Sequence, residues 1–161
     1  MLREHFDQKA QRLKVLQIFA IMLPWILLLL FTVGLTYDTN HVGSMYISKM
    51  GNESVEINLR VYGNRLYISD QRSGFEYDVR GIVWLSKTTR FLSVGEHGRL
   101  KLIHRPQTGF LLKKQPGYNF RRTLSFNGVD EFELCGDYSI RYKSNCWGAL
   151  AIKITFKDRF R

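Results

Sequence analysis

Four histidines, two cysteines and fourteen carboxylates are the residues of this chain that could do chemistry. Catalysis would need a nucleophile beside a base, two carboxylates held in different environments, or several metal ligands in one place. His5 stands near the amino terminus, His41 follows a long apolar run, and His97 falls at a turn tip, Gly95-Glu96-His97-Gly98. His104 is the last histidine and lies well upstream of Cys135, so the cysteines have no histidine beside them to complete a metal site. No Gly-x-Ser-x-Gly, His-Glu-x-x-His or Gly-x-x-x-x-Gly-Lys run occurs. Asp130, Glu131 and Glu133 could supply a general acid/base pair, but such a cluster is more often a solvated loop face. The sequence therefore predicts no enzyme, no cofactor, and neither catalytic nor metal-ligating residues.

Cys135 and Cys146 are the only cysteines. An even count in an oxidising compartment reads as one disulfide, and closing the loop 135–146 stabilises by roughly 2.5–3 kcal/mol in the chain-entropy model. Charge offers a different chemistry. Lys and Arg number 24 against 14 Asp and Glu, a formal charge of +10. Arg60, Arg65, Arg80, Arg99, Lys101 and Arg105 interleave with Tyr46, Tyr62, Tyr67, Phe75, Tyr77, Trp84, Phe110, Tyr118, Phe120 and Phe126. Core packing explains most such aromatics in a β domain. The same set suits a barrel around a small apolar ligand, with the cations favouring an anionic one. Anionic lipid or an acidic partner would satisfy the cations equally, and no ligand-binding residue is assigned.

The elements that must position these residues are strands. Val55, Ile57, Leu59 and Val61 alternate with polar neighbours, Gly63-Asn64 makes a two-residue turn, and Arg65–Asp70 returns. Phe75 to Leu85 alternates as one long strand with a bend or bulge at Gly81. Further strands are expected at Met45–Met50, Phe91–Val94, Arg99–His104, Phe110–Lys114, Tyr118–Phe126, Glu131–Cys135 and Tyr138–Tyr142, with Pro116-Gly117 and Asn127-Gly128 turning the chain. Leu150, Ile152, Ile154 and Phe156 mark one face of the last. Short strands at such spacing predict a mainly β fold, a small antiparallel barrel or sandwich. Phe91-Leu92 and Phe110-Leu111-Leu112 are apolar on both faces, which predicts an open sheet edge completed by a partner.

The run Val15–Leu35 has only Gln17 and Thr32 as polar residues. As a helix it would reach roughly 31 Å, the thickness of a bilayer's hydrocarbon core. Pro24 would break a soluble helix but is tolerated in lipid. The chain thus divides into a leader (1–14), a transmembrane helix (15–35) and a β domain (36–161). Arg3, Lys9, Arg12 and Lys14 precede the span, and no Lys or Arg follows it until Lys49, so the leader stays cytoplasmic and the domain is exported. Export removes direct nucleic-acid binding. No A-x-A-like cleavage site follows the run and no prepilin signal precedes it, which favours an uncleaved anchor.

A short basic leader, one uncleaved span and a small exported β domain, across the whole chain, resemble the ToxS-like periplasmic accessory proteins of membrane-bound transcription regulators, of the VtrC and PsaF/MyfF type. The likeness is one of size and topology and carries over no functional residue. It implies a single-pass protein of the bacterial inner membrane whose periplasmic domain, lipocalin-like, pairs with that of a membrane-anchored winged-helix regulator as a heterodimer. It also implies stabilisation or activation of the regulator, through a small amphipathic ligand such as a bile salt or through acid. A structural subunit of an envelope secretion or pilus-assembly machine would share the same layout.

Overall fold

The computed structural model describes residues 41–159. The leader 1–14 and the span 15–35 lie outside the described residues, among which no helix is long and apolar enough to cross a membrane. The strands are β1 (His41–Met50), β2 (Glu53–Tyr62), β3 (Arg65–Ile68), β4 (Gly74–Asp78), β5 (Ile82–Leu85) and β6 (Phe91–Val94). They continue as β7 (Leu100–Ile103), β8 (Phe110–Lys114), β9 (Arg121–Phe126), β10 (Phe132–Leu134), β11 (Ile140–Arg141) and β12 (Leu150–Asp158). A single 3-10 turn, Glu96–Gly98, interrupts them.

β1 is the strand on which both halves of the domain depend. Its first residues pair with β4 (His41 with Tyr77, Ser44 with Gly74) and its later ones with β2 (Ile47 with Ile57, Met50 with Glu53). Pairs then run β2–β3–β7–β6–β5–β4, which returns to β1 and closes a seven-stranded antiparallel barrel. Gly43 and Ser44 pair at once with β4 and β12, and Tyr46 and Ile47 with β2 and β12, so β12 holds the other edge of β1. A bulge between Ile47 and Lys49 lets β1 serve these neighbours. β12 carries β10 along its first residues and β9 along its last; β8 pairs with β9, and β11 with β10.

Alternating residues of these strands fill one core. Met45, Ile47, Leu59, Leu66, Phe75, Val83, Leu92, Leu100, Phe110, Leu124, Phe132, Ile140, Ile152, Ile154 and Phe156 are all buried within it. Tyr46 is also buried, although it points opposite Met45 and Ile47, because β1 is covered on both faces. Five of the ten aromatics considered for a ligand cavity (Tyr46, Phe75, Tyr77, Phe110, Phe126) are core residues, whereas Tyr62, Tyr118 and Phe120 are exposed.

The structure corrects three expectations. Residues 75–85 form a hairpin rather than one bent strand: Gly81 N–H donates to the Asp78 carbonyl at 2.9 Å, and Asp78 Oδ1 accepts from Arg80 N–H at 2.7 Å. Gly81, at φ +83°, therefore closes a turn. Leu150, taken as a core-facing residue, is exposed. The open edge is confined as well, since the seven-stranded barrel closes within the chain and Leu92 is buried, leaving Leu111 of β8 exposed. Cys135 and Cys146 form a disulfide, with Cα atoms 5.8 Å apart, tying the end of β10 to the segment before β12.

Candidate anion-binding site

Two tight turns and one short strand bring cations together. Gly63 and Asn64 join β2 to β3, and Arg90 Nη1 fixes that turn by donating to the Gly63 carbonyl at 2.8 Å and Asn64 Oδ1 at 2.9 Å. The Glu96–Gly98 turn joins β6 to β7, with His97 (φ 55°) and Gly98 (φ 72°) both left-handed. At Gly98 the chain meets β11: Tyr142 N–H donates to the Gly98 carbonyl at 2.8 Å, and a Cβ on Gly98 would overlap the Tyr142 carbonyl. Only glycine fits this contact. The result is a pocket of about 310 Å³ lined by Asn64, Arg65, Glu96, His97, Arg99, Lys101 and Arg141.

Register makes the electrostatics unusual. Arg65 of β3 lies directly opposite Lys101 of β7, and Arg99 directly opposite Arg141 of β11. Like charges directly opposed across a ladder destabilise it. Two carboxylates stand beside the four cations: Glu96 lines the pocket, and Asp137 Oδ2 accepts from Arg141 Nη2 at 3.2 Å and lies 3.5 Å from Arg99 Nη2. The Ser139 hydroxyl donates to Asp137 Oδ1 at 2.5 Å, and this bond is the main reason the Asp137 carboxyl titrates below its ordinary range. Among the described residues Arg65 and Lys101 have no carboxylate partner. The Lys101 side chain runs over Gly95, where a Cβ would collide with it.

Three of the six cations singled out in the sequence, Arg65, Arg99 and Lys101, meet in this pocket. Arg60 is exposed on β2 and Arg105 in a loop, whereas Arg80 grips Asp78 through Nε and Nη2 at 2.6–3.0 Å. Arg141 escaped the sequence reading because only the register of a two-residue strand brings it opposite Arg99.

No family model, curated protein or solved structure matches this chain. The site is therefore argued from its geometry.

The acidic cluster disperses into structural contacts. Asp130 Oδ2 accepts from Lys153 Nζ at 2.7 Å, and Glu131 is exposed. Burial pushes the Glu133 carboxyl up, but the Ser144 hydroxyl and the N–H groups of Ser144 and Asn145 outweigh it and hold it below the usual range. Glu133 thus pins the loop that carries Cys146. Among the described residues no three His, Cys, Asp or Glu side chains converge as metal ligands.

Proposed function

We propose that this chain is an envelope-anchored ligand-binding accessory subunit. Its pocket takes the carboxylate or sulfonate head of a small amphipathic anion, such as a bile salt. Its barrel pairs with the periplasmic domain of a membrane-bound winged-helix transcription regulator, which it stabilises or activates. The observation that carries the ligand half is the meeting of Arg65, Arg99, Lys101 and Arg141 as opposed pairs against two carboxylates, Glu96 in the lining and Asp137 shared by Arg99 and Arg141. That arrangement costs the fold stability until an anion enters, and charge-assisted hydrogen bonds to guanidinium groups are the strong kind. The regulator half is supported by the layout of leader, span and exported domain.

Calorimetric titration of the full-length protein in non-ionic detergent with submicellar taurocholate, and with sulfate as a headgroup probe, tests the ligand half. Each lost charged contact costs roughly 1.5–3 kcal/mol, so Arg65→Ala with Lys101→Ala should weaken binding at least about tenfold. Unchanged affinity in that variant, or no binding by the native chain, overturns it. Purification from native membranes tests the regulator half. A winged-helix membrane protein should come along; components of a secretion or pilus-assembly machine in its place would overturn that half alone.

A further inference from the structure

The hairpin between β8 and β9 brings cations and aromatic rings together. Lys113 and Lys114 lead into it and are exposed, and Tyr118 and Phe120 stand 49% and 41% exposed at its far side. This loop is fixed. Gln115 Nε2 donates to Thr123 Oγ1 at 3.1 Å and to Thr155 Oγ1 at 2.9 Å, and Tyr118 N–H donates to the Gln115 carbonyl at 3.2 Å. The Arg121 guanidinium lies over the Tyr118 ring, 4.6 Å from its centre.

Register fixes where the tip sits. Arg121 pairs with Lys157, and Asp158 N–H donates to the Phe120 carbonyl at 2.8 Å. Asp158 in turn pairs with Gly43, and Arg159 N–H donates to the Val42 carbonyl at 2.8 Å. The tip therefore lies at the end of the domain where β1 begins. The apolar run ends at Leu35, so His41 follows after at most roughly 20 Å of extended chain. At this end Asp158 is held by Arg122 Nε at 3.0 Å and lies 3.1 Å from His41 Nδ1, and Glu76, paired with Val42, is a second acid.

We propose that the β8–β9 hairpin is a membrane-interface contact, with Tyr118 entering the headgroup layer and Lys113, Lys114 and Arg121 pairing with anionic lipid phosphates. Tyrosines flanked by Lys and Arg are the residues that settle at a bilayer interface, and each nearby cation adds attraction to an anionic surface. The contact rests on the anchored topology proposed above but not on the ligand or the regulator.

The test is photo-crosslinking of the full-length chain with benzoylphenylalanine in place of Tyr118. The chain is reconstituted in nanodiscs of phosphatidylcholine alone or mixed with phosphatidylglycerol. The reference probe replaces Tyr138, which is 64% exposed and lies beyond Leu134, the partner of Leu150 at the other end of β12. The Tyr118 probe should give a lipid adduct that rises with phosphatidylglycerol, exceeds that of the Tyr138 probe, and falls to its level with Lys113→Glu and Lys114→Glu. Equal adducts at both positions overturn the contact, as does a protein-sized adduct at Tyr118 in native membranes, which would give this surface to a protein partner. A chain that fails to enter nanodiscs overturns the anchored topology and the contact together.

Discussion

Lys101 shows at the scale of one residue how a fold can carry a cost for a binding site. It faces Arg65 across the ladder, and neither forms an ion pair among the described residues, although Glu96 lines the same pocket. Replacing it with Ala removes an opposed like-charge pair, which is worth about 0.2–1 kcal/mol. Thermal unfolding of Lys101→Ala should move upward while anion affinity falls; a loss of both would show that Lys101 is a structural residue. His41 makes a second case. Burial lowers its pKa below the ordinary 6.5 and outweighs the opposing pull of Asp158, with Arg122 adding to the lowering. The Tyr77 ring, 6.0 Å away, completes its surroundings. A base whose folded value is depressed stabilises fully above its ordinary value, and that contribution is lost as pH falls through the folded one. The urea midpoint should therefore drop between about pH 7.5 and about pH 5, and less steeply in His41→Gln. An identical drop in both proteins would assign the acid sensitivity elsewhere.

At the scale of the element, the pocket depends on the docking of β11 against the β6–β7 turn. Gly98→Ala would force a Cβ into the Tyr142 carbonyl at a left-handed position, and should cost about 1–3 kcal/mol. Calorimetry of that variant should also show anion binding lost, because Arg141 would part from Arg99. Retained binding would mean that β7 and β3 suffice. Much of this layer was legible in the sequence. Gly63-Asn64 announces the β2–β3 hairpin, Asn127-Gly128 turns the chain at the Phe126–Val129 bridge, and Ile152, Ile154 and Phe156 are buried as their period predicts. Residues 75–85 were misread because alternation continues across Asp78–Gly81, where a carboxylate accepting from Arg80 makes the turn. Three pocket cations stood out by type, but their meeting depends on pairings between strands distant in sequence. Arg65 with Lys101 and Arg99 with Arg141 are matters of register, which no local pattern encodes.

At the scale of the molecule, β12 joins everything. It pairs with β1 along most of its length and gives its other edge to β10 and β9. The disulfide lies just ahead of it, so Cys135→Ala with Cys146→Ala should lower the unfolding free energy by roughly 2–4 kcal/mol without dismantling the sheet. Ending the chain at Ala149 should do far more. It strips three strands of a neighbour and removes Ile152, Ile154 and Phe156 from the core, which predicts a fragment degraded by protease in native membranes. A protease-resistant fragment would show that the seven-stranded barrel stands alone.

The pairing of Gly43 with Asp158 also sets an order in time. The first strand made, β1, cannot have its other edge covered until the last strand, β12, has been made. Contacts this distant in sequence make folding slow, and strand edges wait unpaired meanwhile. On the exported topology proposed above, the nascent domain would thus cross the membrane as a half-built sheet. Its demand for chaperones should be set by how fast the carboxyl terminus arrives, and little by the stability of the finished barrel.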